Sequence, residues 1–346
     1  MKHLATSLLT ALLAVSASLP AQSFPVSLKD GGTLYFSVTD TVRHTVEVSP
    51  VPKLAFDKVS LPNGSLSIPS TIRYRDTVWH VTAIADKAFE GSSIEFVSIP
   101  STVGKIGDSA FANCESLKGL VFPGRQVKVS DDAFAGCKAL ENITFGSDWT
   151  ELDLAPFGDS EALRTVRIPA RVSRLVNLKT LAALESVEVD PNNQHFSSVD
   201  GLLYSKNGKT LYACPRAREG SIEVLDGTES ILEGALWDCP SLESVILPAT
   251  VNKVSYLEFS RCTNLKSLIM LSPEPVMTAR FEGREVFCFR VPSIAFNLFV
   301  PSAAVSAYQA ALCTSSGNYE NMDGSQKSYC QDSGFLGKKA VKKIRK

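Results

Sequence analysis

The strongest constraint on what this chain folds into is a spacing: Phe89, Phe111, Phe134 and Phe157 follow one another at intervals of 22, 23 and 23 residues. Around them the same grammar recurs. One unit runs through Val103, Ile106, Ala110, Phe111, Cys114, Leu117, Leu120 and Phe122, and the next through Val127, Val129, Ala133, Phe134, Cys137, Leu140, Ile143 and Phe145. Ala235, Leu236, Cys239 and Leu242 repeat it, as do Phe259, Cys262 and Leu265, with the two cysteines 23 residues apart. A degenerate unit from Val172 to Val189 lacks the Ala-Phe pair and the cysteine. A segment this short cannot bury an apolar face alone, so neighbouring units must stack and share a core.

Each unit closes on a leucine followed by alternating apolar and variable positions and often a proline, the pattern of a short strand. Because the chain returns to nearly the same place every unit, these strands stack in parallel at ~4.8 Å per rung, and roughly nine rungs span about 43 Å. The predicted architecture is an α/β-type repeat solenoid. It is a right-handed coil with one short parallel strand per ~23-residue repeat.

Before the repeats, Lys2 and His3 precede an apolar stretch from Leu4 to Val15, and small residues follow up to Ala21 and Ser23. This order of charge, apolar segment and small residues predicts a secretory signal peptide over residues 1–23, too short to serve as a membrane span. The rest of the chain contains no stretch apolar enough to cross a bilayer. With 44% hydrophobic residues, 21% charged residues and a formal net charge of −1, nothing electrostatic favours a nucleic-acid partner.

The run Ile106, Gly107, Ala110, Phe111, Cys114 and Leu117 resembles the BspA-like (treponemal-type) leucine-rich repeat of bacterial surface proteins. Features outside the repeat carry the same likeness. Tyr35-Phe36 to Val48, Ile68 to Ile72 and Val78 to Val81 resemble the family's β entry segment. Asp190 to Phe196 and Asp200 to Leu211 resemble its hairpin insertion, for which Asn207-Gly208 predicts a two-residue turn. Leu298 to Pro301 and Val305 to Tyr308 resemble its closing strand and helix, with Ser302 as the expected helix N-cap. The resemblance implies a right-handed leucine-rich-repeat coil with an N-terminal β entry segment and a C-terminal strand-helix cap. The expected boundaries are 24–80 for the entry segment, 81–271 for the solenoid with its insertion at 190–219, 272–312 for the cap and 313–346 for a flexible basic tail.

Cys114, Cys137, Cys239 and Cys262 recur at one phase of the repeat, which predicts small buried side chains rather than disulfides or metal ligands. Ser92 and Ser160 occupy two equivalent positions. Cys214, Cys288, Cys313 and Cys330 lie outside the repeat pattern, and Cys313 with Cys330 is the local candidate pair. His3, His44, His80 and His195 are scattered without zinc-ligand spacing, and no phosphate loop, nucleophile elbow or dinucleotide-binding glycine pattern is present. No cofactor, metal or catalytic residue is expected.

Counting from each strand's leucine, the third and fifth following positions point inward, leaving the second and fourth on the outer face. Along that face a hydrogen-bonding stretch, Asn142, Thr144, Thr165, Arg167 and Glu188, is followed by apolar Ile246 and Ile269. Variation along a regular scaffold is how solenoids acquire partners, so these seven are the candidate contact residues. The opposing reading is the general preference of strands for β-branched residues. The position after the leucine alternates in sign, Glu95 then Lys118, Arg164 then Glu185, Glu243 then Lys266, which predicts ion pairs between rungs.

Taken with the family resemblance, these features imply an exported, monomeric, non-enzymatic protein at the cell surface or in the medium. It would recognise or adhere to extracellular or envelope proteins or glycans. The alternatives are a structural envelope scaffold without a discrete ligand and a secreted enzyme.

Overall fold

A computed structural model describes residues 23–29, 32–51, 64–255, 258–259, 261–276, 279–281, 284–286, 297–311, 318–320, 326–328 and 341–343. All but the last residue of the signal peptide expected over residues 1–23, and the candidate cysteines Cys288, Cys313 and Cys330, lie outside these residues. The chain divides into two compact units, Met1–Lys138 and Ala139–Lys346.

The first unit begins with an antiparallel meander of Phe24–Ser27, Thr33–Asp40 and Thr45–Ser49. Alternation buries Leu34, Phe36, Val46 and Val48 on one face, and on the other the buried hydroxyls of Ser37 and Ser49 bond each other. A hairpin of Thr71–Tyr74 and Thr77–Ile84 follows, turned by Arg75 and Asp76. Both turn residues have positive φ, 48° and 59°, the backbone that matches the twist of a tight hairpin.

From here the chain coils. Ser65–Ser67, Phe96–Ser98 and Gly119–Phe122 form one parallel ladder, with Leu66, Val97, Leu120 and Phe122 pointing into the core. A second parallel ladder joins Thr77–Ile84, Lys105–Ile106 and Lys128–Val129. The expectation of one strand per repeat is therefore corrected to two. The added strands span only two residues each beyond the hairpin, and they pair backbone groups that the coil would otherwise leave without a partner.

Between the ladders each turn passes through the Ala-Phe segment, where the backbone bonds directly to the next turn. Phe89 N donates to Ala110 O at 2.7 Å, and Phe111 N to Ala133 O at 2.8 Å. This spacing stacks the rings of Phe89, Phe111 and Phe134 with centroids 4.9 and 5.1 Å apart. The chain leaves the segment through a left-handed residue, Gly91, Asn113 or Gly136, and Asp238 and Arg261 take that role in the second unit. Glycine, asparagine and aspartate accept this backbone at low cost, and Arg261 is the exception.

The cysteine after that residue has a defined task. Cys114 Sγ donates to Phe89 O at 3.1 Å, Cys137 Sγ to Phe111 O at 3.2 Å, and Cys262 Sγ to Leu236 O at 3.0 Å. At the equivalent position Ser160 Oγ donates to a different carbonyl of the preceding turn, Leu140 O, at 2.6 Å. Each thiol or hydroxyl is small enough for the turn and donates to a carbonyl of the turn before it.

In the second unit, Thr165–Ile168 pairs in parallel with Ser186–Val189, and Glu151–Asp153 with Arg174–Val176. An antiparallel insert then interrupts the coil: Phe196–Val199, Leu202–Ser205 and Thr210–Ala213. Its second turn is not the expected two-residue Asn207-Gly208 turn. Four residues separate the strands, because Ser205 Oγ accepts from Thr210 N and Asn207 Oδ1 from Lys209 N, leaving only Gly208 with positive φ, 70°.

Coiling resumes with Gly220–Glu223, Leu242–Leu247, Ser267–Met270 and Asn297–Val300 in one parallel sheet, to which Val341–Lys343 adds a further parallel strand. A short 3₁₀ turn, Ser302–Ala304, leads into the helix Val305–Ala311. Pro301, not Ser302, is the N-cap, its φ of −52° already set for helix entry. Tyr308 is fully buried, and its hydroxyl donates to Ser272 O at 3.2 Å and Glu274 O at 2.9 Å.

Candidate functional site

The alternation of the parallel strands decides which side chains are available. In the second unit Ile143, Phe145, Val166, Ile168 and Val187 are buried, while Asn142, Thr144, Arg167 and Glu188 are exposed and Thr165 and Ser186 half-buried. Arg167 and Glu188 sit opposite each other in register, and Arg167 Nε donates to Glu188 Oε2 at 2.8 Å. Thr144, Arg167 and Glu188 line one groove of about 460 Å³, together with Ser147 and Asp190 and walled by Pro169 and Pro191. The Arg167 and Glu188 side chains remain 79% and 54% exposed, so their attraction is screened and worth only ~0.2–1 kcal/mol.

Asn142 and Thr165 stand on the same strands but do not line the groove. Ile246 and Ile269 are paired with each other in a different sheet, flanked by Glu223 and Phe299, and both are half-buried. Ser147, Asp190 and the two prolines were not visible as groove residues in the repeat pattern, since they lie just beyond the strands. The prolines that end the strands were the available signal.

On the corresponding face of the first unit, Ser65, Ser67 and Ser98 flank two exposed apolar side chains. Phe96, 46% exposed, lies over Gly119, where an added Cβ would fall 2.6 Å from the Phe96 ring. Val121 is exposed beside it in the ladder. Along the flank of the strands the alternating charges pair as expected: Lys118 with Glu95 at 2.7 Å, Arg164 with Glu185 at 3.4 Å and Lys266 with Glu243 at 3.0 Å.

A second cluster, buried inside the second unit, was not anticipated. Lys179 belongs to the degenerate repeat, yet its Nζ donates to Cys214 O at 2.7 Å, Trp237 O at 3.0 Å and Ala235 O at 3.1 Å, and lies 3.5 Å from Cys239 Sγ. Cys214, expected outside the repeat pattern, joins Cys239 and Cys262 in one fully buried group. Hydrogen bonds from Cys214 and Cys262, then the Lys179 charge, hold the Cys239 thiol down to about 3. The same hydrogen bonding with Cys239, and burial, raise Cys214 and Cys262. Glu258 is 1% exposed and accepts from the backbone N–H groups of Gly234 and Leu236, while burial pushes its carboxyl up to about 7. The three thiols and Glu258 are buried, while Lys179 is half-buried at the rim of the cluster. Their chemistry is spent on satisfying buried carbonyl and amide groups, not on a reactant.

Among the described residues no group of three or more His, Cys, Asp or Glu side chains is placed to hold a metal ion. No helix among them is long and apolar enough to cross a membrane.

A family model, the BspA type leucine-rich repeat region, matches residues 80–197 and 212–282 in six copies, more than half of the chain. Several solved structures are similar. A leucine-rich repeat protein from Bacteroides ovatus is 20% identical, with 77% of this chain and 69% of that one covered and a TM-score of 0.47. A leucine rich cell surface protein from Faecalibacterium prausnitzii is 18% identical, covering 84% and 94% with a TM-score of 0.39. The pneumococcal vaccine antigen PcpA is also 18% identical, covering 84% and 97% with a TM-score of 0.39. No curated protein matches the chain.

Proposed function

Because the chain belongs to the family of BspA-type leucine-rich repeat proteins, we propose that it is an exported bacterial recognition module. It acts at the cell surface or in the medium, binding protein or glycan partners on its outer strand face. The reading also assigns a secretory leader to residues 1–23 and a right-handed sense to the coil. Asn142, Thr144, Thr165, Arg167, Glu188, Ile246 and Ile269 are the proposed contacts.

The observation that carries this reading is the groove in which Thr144, Arg167 and Glu188 converge. Its two charged strand residues pair with each other in solvent, so a partner can exchange that pair for its own contacts at a cost of no more than about 1 kcal/mol. An open groove whose ionisable groups remain in solvent suits binding; general acid–base catalysis calls for groups whose proton affinity is tuned by enclosure.

The test is an array of extracellular-matrix proteins, envelope polymers and glycans probed with the mature chain and with Arg167→Glu and Glu188→Lys variants. A saturable partner whose affinity falls about tenfold or more in either variant supports the proposal. No saturable partner, or equal binding by all three proteins, overturns it.

A further inference from the structure

The antiparallel insert leaves a gap in the second ladder of the coil. Arg174–Val176 pairs with Glu151–Asp153 on one side only, and Thr210–Ala213 is taken up by Leu202–Ser205 and by Ser230–Ile231. Arg174 N and Val176 O bond toward Thr150 and Leu154 on the paired side. Leu175 therefore directs its N–H and C=O to the open edge, since successive residues of a strand address opposite neighbours.

That edge borders a cleft of about 550 Å³, within the range of about 300–1,000 Å³ common to ligand pockets. Its apolar walls include Leu175, the edge-on pair Phe196 and Tyr212 with ring centroids 5.8 Å apart, and Leu232, which is 51% exposed. Three of the polar side chains along it are already committed. Arg174 bonds Glu151 at 3.3 Å, Asn177 bonds Asp153 at 2.8 Å, and Lys179 serves the buried carbonyls. Glu233 is the one charged lining residue without a hydrogen bond or ion pair among the described residues.

We propose that this cleft is a second binding site, for an extended peptide segment of a partner protein. The peptide pairs its backbone with Leu175 as an added strand, sets an aliphatic side chain between Tyr212 and Leu232, and places a basic side chain against Glu233. An unpaired strand edge recognises main chain, the apolar walls take one side chain, and the free carboxylate selects a cation. A sugar ring would instead call for several uncommitted hydrogen-bonding side chains, and Arg174, Asn177 and Lys179 are all engaged.

The test uses an array of short fluorescein-labelled peptides with leucine or valine at alternate positions and lysine at one of the others, read by fluorescence anisotropy against the full chain. A subset should bind saturably. Glu233→Lys and Leu232→Asp, both at exposed positions, should each weaken that binding about tenfold or more, and Arg167→Ala on the other groove should leave it unchanged. Methylation of the peptide's central backbone nitrogens should abolish it. The proposal is overturned if no peptide saturates, if Glu233→Lys binds as well as the parent, or if backbone methylation has no effect. Displacement by oligosaccharides and not by unlabelled peptide would overturn it too.

Discussion

Removing the ring of Phe111 tests whether the stacked turns behave as a ladder whose spacing the backbone sets. Phe111 is fully buried between Phe89 and Phe134, with interplanar angles of 16° and 5°. Truncating a buried phenylalanine to alanine costs about 3–5 kcal/mol, and the value rises as the cavity fails to collapse. Here the turns on either side are held by Phe89 N to Ala110 O and Phe111 N to Ala133 O, so the neighbouring rings cannot close the gap. Phe111→Ala should therefore fall in the upper half of that range. Each stacked pair adds about 0.5–1.5 kcal/mol beyond area burial. Phe89 has one stacked partner among the described residues, so Phe89→Ala should cost less than Phe111→Ala by about one such increment. Phe111→Leu, which keeps most of the volume and loses both stacks, should cost about 1–3 kcal/mol. Urea titrations of the full chain followed by circular dichroism, compared at a common m value, measure all three. A loss below ~1 kcal/mol for Phe111→Ala, or a larger loss for Phe89→Ala, would refute the ladder argument.

Three further outcomes are expected. Burial raises Glu258 from 4.5 to about 7, so the native state holds a proton that the unfolded chain gives up. Its contribution to stability is complete below pH ~4.5 and is lost as pH rises through about 7, up to about 3 kcal/mol by linkage. Glu258→Gln should flatten the stability profile in that window relative to the parent, and an unchanged slope would contradict the raised pKa. Cys114, Cys137, Cys214, Cys239 and Cys262 are each at most 1% exposed, so a thiol reagent should modify them only after denaturation, as read by intact mass. Tyr308→Phe leaves Ser272 O and Glu274 O without their donor and should cost about 1 kcal/mol in thermal or urea melts, whereas Tyr308→Ala should cost about 3–5 kcal/mol.

The repeat and its inward positions were legible because they rest on side chains that recur: Phe89, Phe111 and Phe134 stack as their spacing required, and the cysteines are buried at one phase. The charge alternation also translated directly into pairs such as Lys118 with Glu95. The second ladder was not legible, since Lys105–Ile106 and Lys128–Val129 are too short to show a period. The hairpin turn misled because Asn207-Gly208 signals a tight loop only when both residues take positive φ, and side-chain bonds from Asn207 and Ser205 hold the backbone otherwise. Of the seven candidate contacts, Thr144, Arg167 and Glu188 meet in one groove, which alternation alone could not distinguish from Asn142 and Thr165. Lys179 was the hardest residue to anticipate. It reads as an ordinary lysine, and the carbonyls it serves are 35 to 58 residues away in the chain.

The donation from each cysteine to the preceding turn has a practical consequence for the protein as a material. Ser160 fills the same phase and donates to Leu140 O of the turn before it, so the position asks for a small donor and not for sulfur. Sulfur at Cys114, Cys137 and Cys262 is shielded only while the coil stays closed, and once the turns open a sulfenic or sulfinic group adds oxygen for which the closed turns leave no room. Serine at those three positions would keep a small donor at that phase and remove the oxidisable atom, so that a chain opened in air would still close.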